Sequence, residues 1–209
     1  MKIPLKLIQF FFILVFGMGR GNAQQQLAKY FEGLIYSDFF LLGTPTPADS
    51  LWAIPETKNL AEKLLVDTAA SVKSRFFAAE LLFTKNSGLP DSIDKFIVAK
   101  VYATALKEGF ADRPNYWGMP DVDYGYIGSH VISLGPAAIK AFHPLLKDRR
   151  ILRYSGSREA TQSQLYQYRI CDVAAMYIVA IHKKDSEYKP CRWLFIRRIQ
   201  IARIKLIKS

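Results

Sequence analysis

One spacing recurs along this chain and limits what it can fold into. Val72, Phe76, Ala79 and Phe83 stand at i, i+4, i+7 and i+11, as do Tyr166, Ile170, Val173 and Tyr177, and again Phe195, Ile199, Ala202 and Leu206 near the end. Residues at those offsets share one side of a helix with 3.6 residues per turn, and burial of that side is what makes such a segment fold. No stretch of useful length alternates apolar and polar residues with period two. The fold class expected is therefore all-α, a compact multi-helix domain of stacked helical hairpins. Half of the 209 residues are apolar, enough to fill one core of ordinary size.

Glycine and proline divide the pattern into elements. Leu27, Phe31, Leu34, Ile35, Leu41 and Leu42 predict a first helix over 25–42, interrupted only by Asp38 and ended by the GTPTPADS run at 43–50. A short helix follows over 56–66, and Asp67 or Thr68 is placed to cap the next one, which carries the Val72 stripe and stops at 86–88. Residues 90–92 open a helix whose interior, KFIVAKVYATAL, is apolar almost all round and so belongs at the centre; Gly109 ends it. A long irregular stretch, 110–126, leads to two short helices joined at Gly135 and Pro136, with Ile127, Val131 and Leu134 inward on one and Ile139, Phe142 and Leu146 inward on the other. A second loop, 149–160, precedes one long helix from Thr161 to His182, which makes about eight helices in all.

The two ends differ from the body. Lys2 and Lys6 precede an apolar run, 7–16, broken only by Gln9, and small residues follow at Gly17, Gly19 and Gly21 to Ala23. This is the pattern of a secretory signal peptide over residues 1–23, cleaved after Ala23. The run is about ten residues, against the roughly twenty needed to cross a bilayer, so cleavage is favoured over an anchor. An exported protein, periplasmic or secreted, is expected, with a single all-α domain over 24–182. The net charge of +11 is concentrated at the ends: three cations and no acid lie before Gln24, and nine cations against two acids lie after His182. A near-neutral body of this kind has no basic face for nucleic acid. The tail, 183–209, reads as a basic amphipathic helix in which Arg197, Arg198, Lys205 and Lys208 gather opposite the Phe195 stripe. It is suited to lie on an anionic membrane surface, to dock on a partner, or to cover the last helix of the body. Cys171 and Cys191 are an even pair in an oxidising compartment, compatible with a disulfide or with two small buried thiols.

The segment LGPAAIKAFHPLLKD, 134–148, with its Leu134-Gly135, its small residues Ala137, Ala138 and Ala141, and its Leu145-Leu146-Lys147-Asp148, resembles the end of the first helix and the second helix of a HEAT-like repeat. Asp172, Ala174, Ala175 and Ile178 are similar to the first helix of a following unit. The resemblance covers one to one and a half units in the C-terminal half. It implies a scaffold for binding proteins or peptides, because each helix pair exposes an apolar side that stacking must cover.

Chemistry is sparse in this sequence. His130, His143 and His182 lie on three successive helices without an i, i+4 pair or a C-x-x-C, so no metal site is expected, and no cofactor. Ser92 and Lys95 match an S-x-x-K spacing, but neither S-D-N nor K-T-G accompanies them, and a serine at a helix start is commonly a cap. There is no G-x-S-x-G, H-E-x-x-H, P-loop or dinucleotide fingerprint. The two loops carry the candidate binding residues: Asn115, Tyr116, Trp117 and Tyr124 in the first; Arg153, Tyr154, Ser157, Glu159, Tyr168, Arg169 and Asp172 around the second; and His130 on the helix between them. Either they form a polar, aromatic pocket for a sugar, peptide or anion, or the rings pack the loops onto the helices. The function expected is an exported, non-catalytic binding or scaffold protein for a protein, peptide or other envelope component. The alternative is a cell-envelope hydrolase with Glu159, Asp172 or His130 as acid and base.

Overall fold

The structure, a computed structural model, describes residues 20–86 and 88–185. Among them are ten α-helices, two 3-10 turns and two isolated bridges, with no strand, so the chain is all-α. Residues 1–19 of the expected signal peptide lie outside the described residues, as do Cys191 and the tail cations Arg197, Arg198, Lys205 and Lys208. The chain gathers into two compact units that divide between Asp112 and Arg113.

The first unit holds α1 (Arg20–Glu32), α2 (Tyr36–Phe40), α3 (Pro47–Trp52), α4 (Thr57–Val66), α5 (Val72–Lys85) and α6 (Lys95–Glu108). A cleavage after Ala23 would fall in the first turn of α1. The central helix is α5 and not the all-round apolar α6, because α5 packs against α1, α3, α4 and α6. Its run from Phe76 to Leu82 is fully buried, with apolar side chains on every side of the helix except at Glu80. Phe77 stacks on Phe31 at 5.9 Å and on Phe40 at 6.0 Å between ring centroids. Burying each such ring contributes about 2–3 kcal/mol.

Three sequence expectations for this unit change in detail. The helix expected over 25–42 is two helices: the Gly33 and Leu34 amides turn back to the Tyr30 and Phe31 carbonyls, and Ile35 is extended. That turn swings Tyr36, Phe39 and Phe40 into the core and leaves Leu41 and Leu42 exposed. The proline-rich run forms a helix of its own, α3, because Thr46 and Asp49 close a reciprocal capping box in front of it and Pro47 fits the first helical position. Caps differ as well. Ser71, and not Asp67 or Thr68, caps α5, its Oγ accepting from the Ser74 N–H at 3.1 Å. Asp94 caps α6, accepting from the Phe96 N–H at 2.8 Å, so Ser92 lies before the helix.

The second unit holds a 3-10 turn (Pro114–Trp117), α7 (Tyr126–Ser133), α8 (Pro136–Phe142), a second 3-10 turn (His143–Lys147), α9 (Ser157–Tyr166) and α10 (Ile170–Asp185). Here α10 is the centre, packed against α7, α8 and the second 3-10 turn. After Phe142 the chain tightens around Pro144, which brings Leu145 inward and turns the expected Leu146 out to solvent. The long helix expected from Thr161 to His182 is α9 and α10, broken where Gln167 takes the left-handed conformation at φ 48°. The break lets Tyr168 and Ile170 bond back to the chain at 150–152, and it leaves Tyr166 exposed although it fell on the predicted stripe.

Candidate functional site

The two irregular loops meet within the second unit. The Asn115 side chain binds both sides of Ser155, donating to its carbonyl at 2.8 Å and accepting from its N–H at 3.0 Å. The Tyr154 hydroxyl donates to the Gly118 carbonyl at 2.8 Å, and the Tyr177 hydroxyl on α10 donates to the Trp117 carbonyl. Tyr177 also lies against Gly128 of α7, where an added Cβ would come within 2.7 Å of its ring. Met119, Tyr154 and Tyr168 form a small buried cluster against which Leu152 packs, the two tyrosine rings edge to face at 6.0 Å.

Most of the sequence-predicted aromatic residues are therefore internal to the fold. Trp117, Tyr154 and Tyr168 are buried, whereas Tyr124 is 45% exposed. Asp172 caps the start of α10, its Oδ2 accepting from the Arg169 N–H at 2.9 Å. Arg169 is half-buried, and its Nε is enclosed without a hydrogen-bond partner. Glu159 sits in the first turn of α9 with its carboxylate over Gly156, whose φ of 99° and close approach to Glu159 Oε2 suit only glycine. His130 is half-exposed with its ring edge-on to Tyr126 at 5.1 Å. Cys171 is half-buried, its thiol 3.8 Å from Asp172 Oδ1. His143 and His182 are exposed, and among the described residues no group of three or more His, Cys, Asp or Glu side chains is arranged to hold a metal ion. Ser92 and Lys95 are both exposed, and with Ser92 ahead of the Asp94 cap they do not stand one helical turn apart.

Electrostatically, the loops concentrate carboxylates around the tyrosines. Partial burial, and then the charge of Asp172, hold the Asp121 carboxyl above its ordinary range; Asp121 itself has φ 71° at the tip of the Met119–Asp123 turn. Burial, followed by the neighbouring Tyr168, Asp172 and Asp123, pushes the Tyr154 hydroxyl far up, so it acts as a hydrogen-bond donor at any physiological pH. The arrangement can bind and orient. Its hydroxyls and carboxylates are already engaged largely by the chain's own backbone.

A second polar cluster, in the first unit, escaped the sequence reading. Glu80 is completely buried on α5, accepting from the Tyr36 hydroxyl at 2.6 Å and from that of Tyr102. Its signal is visible in retrospect: Glu80 stands four residues after Phe76, inside the apolar run FFAAELLF, where a helix face expected to be buried carries one carboxylate. No protein family matches this chain, and no curated protein or solved structure does.

Proposed function

We propose that this protein is an exported, non-catalytic binding or scaffold protein whose partner is a protein, a peptide or another component of the cell envelope, with α7 and α8 serving as a HEAT-like pair that carries the loops. The observation that carries this reading is the contrast between the two sides of the loop region. Of the two readings of the loop aromatics, a pocket or packing onto the helices, the burial and hydrogen bonds of Trp117 and Tyr154 support packing, while Ile151, Leu165 and Tyr166 stand 54%, 74% and 46% exposed. A pinned surface with protruding apolar side chains suits association with another macromolecule, because little ordering is needed on binding. The signal-like N-terminus supports export, and the basic tail is a candidate for peripheral membrane contact.

The test uses the full chain with a photo-crosslinking amino acid at Tyr166, expressed in cells whose envelope is then fractionated. A discrete adduct of constant mass is expected from the envelope fraction, and it should vanish when Leu165→Asp is added without change in helicity. Crosslinks that form a featureless smear, or that ignore Leu165→Asp, would count against a specific partner.

The hydrolase reading, with Glu159, Asp172 or His130 as acid and base, draws on Asp172, whose charge helps hold the Asp121 carboxyl of the first loop above its ordinary range. It requires turnover of a chromogenic ester, amide or glycoside by the purified chain, abolished by Asp172→Asn.

A further inference from the structure

The segment around Ile151 pairs antiparallel with the residues around Arg169 in an isolated bridge, and the first amides of α10 bond back to the same segment. The Asp148 carbonyl accepts from the Cys171 N–H at 3.0 Å, the Arg150 carbonyl from the Ile170 N–H at 3.1 Å, and the Leu152 N–H donates to the Tyr168 carbonyl at 2.8 Å, with Ile151 opposite Arg169. All three bonds use even-numbered residues of the first segment. Backbone groups alternate along an extended chain, so the N–H and C=O of Ile151 face away from 168–171 and form an open edge.

Side chains alternate in the same way. Leu152 packs on the Met119, Tyr154 and Tyr168 cluster and Tyr154 is buried, which places Ile151 and Arg153 on the outer face; both are exposed, and so is Arg149, which precedes them where the Asp148 carboxylate accepts from the Arg150 N–H. The nearby acids are engaged: Asp148 holds the Arg150 guanidinium at 2.7 Å, and Asp172 holds the Arg169 N–H. The edge therefore offers an isoleucine flanked by two guanidinium groups, beside backbone donors and acceptors aimed outward.

We infer that this edge takes up an extended acidic segment of a partner protein, which adds as a strand beside 149–153 with carboxylates on Arg149 and Arg153 and an apolar side chain on Ile151. The inference rests on the binding role proposed above and specifies its partner chemistry. Main-chain bonds supply affinity in such strand addition, and alternate side chains supply selectivity. An anionic lipid surface would satisfy the arginines but make no use of the open backbone edge.

The experiment measures fluorescence anisotropy of a labelled, end-blocked peptide, Glu-Thr-Val-Thr-Glu, with the full chain. Beside it stand the same peptide N-methylated at alternate amides, a lysine-for-glutamate version, and vesicles of phosphatidylglycerol in phosphatidylcholine. Binding of the acidic peptide is expected, about tenfold weaker after N-methylation and about tenfold weaker to the Arg149→Glu, Arg153→Glu double variant, which keeps the basic tail. Slower amide exchange at Ile151 in the complex is expected as well. Equal binding of the N-methylated peptide, or equal binding by the double variant, overturns the inference. So does vesicle binding that depends on the two arginines without peptide binding, which would assign the edge to a membrane. If the peptide fails while the Tyr166 adduct persists, the edge is wrong and the binding role stands; if both fail, both readings fall.

Discussion

Glu80 shows how much a single side chain can hold in this fold. It is a carboxylate with no solvent exposure, kept between the Tyr36 and Tyr102 hydroxyls in a core that is otherwise mainly apolar. Such a group tolerates burial only while its oxygens are bonded. Tyr102→Phe is expected to destabilise the chain by about 1–3 kcal/mol, read as a lower urea midpoint, and Tyr36→Phe added to it should cost more than the sum of the two single changes. Additive effects would mean that the two hydroxyls do not share one carboxylate. At Gly128 the constraint is steric. An added methyl would meet the Tyr177 ring at 2.7 Å and the Trp117 carbonyl at 2.8 Å, so Gly128→Ala is expected to cost about 1–3 kcal/mol and to loosen the Trp117 loop, seen as a shift in tryptophan fluorescence. Neither residue stood out by type alone: a glutamate in a helix is ordinarily solvated, and a glycine in a helix ordinarily lowers its propensity without signalling contact.

At the scale of elements, the helical periodicity read from the chain located most helices and misplaced their ends. The Val72 stripe, the apolar run ending at Gly109 and the Gly135-Pro136 break all correspond to observed elements, since 3.6-residue spacing and glycine or proline stops are local properties. The caps were less legible because several Asp, Ser and Thr residues compete before each helix, and packing decides which one fits. For α3 the cap has a pH signature. The Lys85 ammonium and the Thr46 hydroxyl and N–H hold the Asp49 carboxyl down to about 2. A folded-state value below the unfolded one, about 4, contributes stability that is present above that pH and lost as the pH falls through about 2. The destabilisation caused by Asp49→Ala should accordingly shrink between about pH 4 and pH 2 in urea titrations, whereas Thr46→Ala should cost about 1 kcal/mol at neutral pH. The break between α9 and α10 depends on Gln167 in the left-handed region, which the apolar stripe gave no reason to expect. Gln167→Gly should raise the melting temperature, relieving about 1 kcal/mol of backbone strain.

For the whole molecule, charge is the property that reaches beyond any single element. With the body near neutral and the cations gathered at the two ends, export and membrane contact are separable questions. Expression in a secreting host should yield a mature chain whose first residue is Gln24, checked by intact mass; a chain that keeps residues 1–23 would refute the cleavage. Flotation with phosphatidylglycerol vesicles is expected to recover the full chain and not a chain lacking 190–209, with less recovery as salt is added, because salt screens attraction between the tail's cations and an anionic surface.

The helical class, the rough positions of its helices and the charge distribution followed from the sequence by itself, because periodicity, helix breakers and ionisable groups act locally. The fate of the candidate site did not. For Trp117, Tyr154 and Tyr168 the sequence left two readings open, a binding pocket or rings that pack the loops onto the helices, and the tertiary structure buries all three, with the Tyr154 hydroxyl bonded to the Gly118 carbonyl and the Tyr177 hydroxyl to the Trp117 carbonyl. The outward position of Ile151, Leu165 and Tyr166 likewise depends on a left-handed turn at Gln167 and the antiparallel bridge of Ile151 with Arg169. Such pairings join residues well beyond the reach of helical spacing, as Ile151 with Arg169 or the Tyr177 hydroxyl with the Trp117 carbonyl, and the local pattern of the sequence does not specify them.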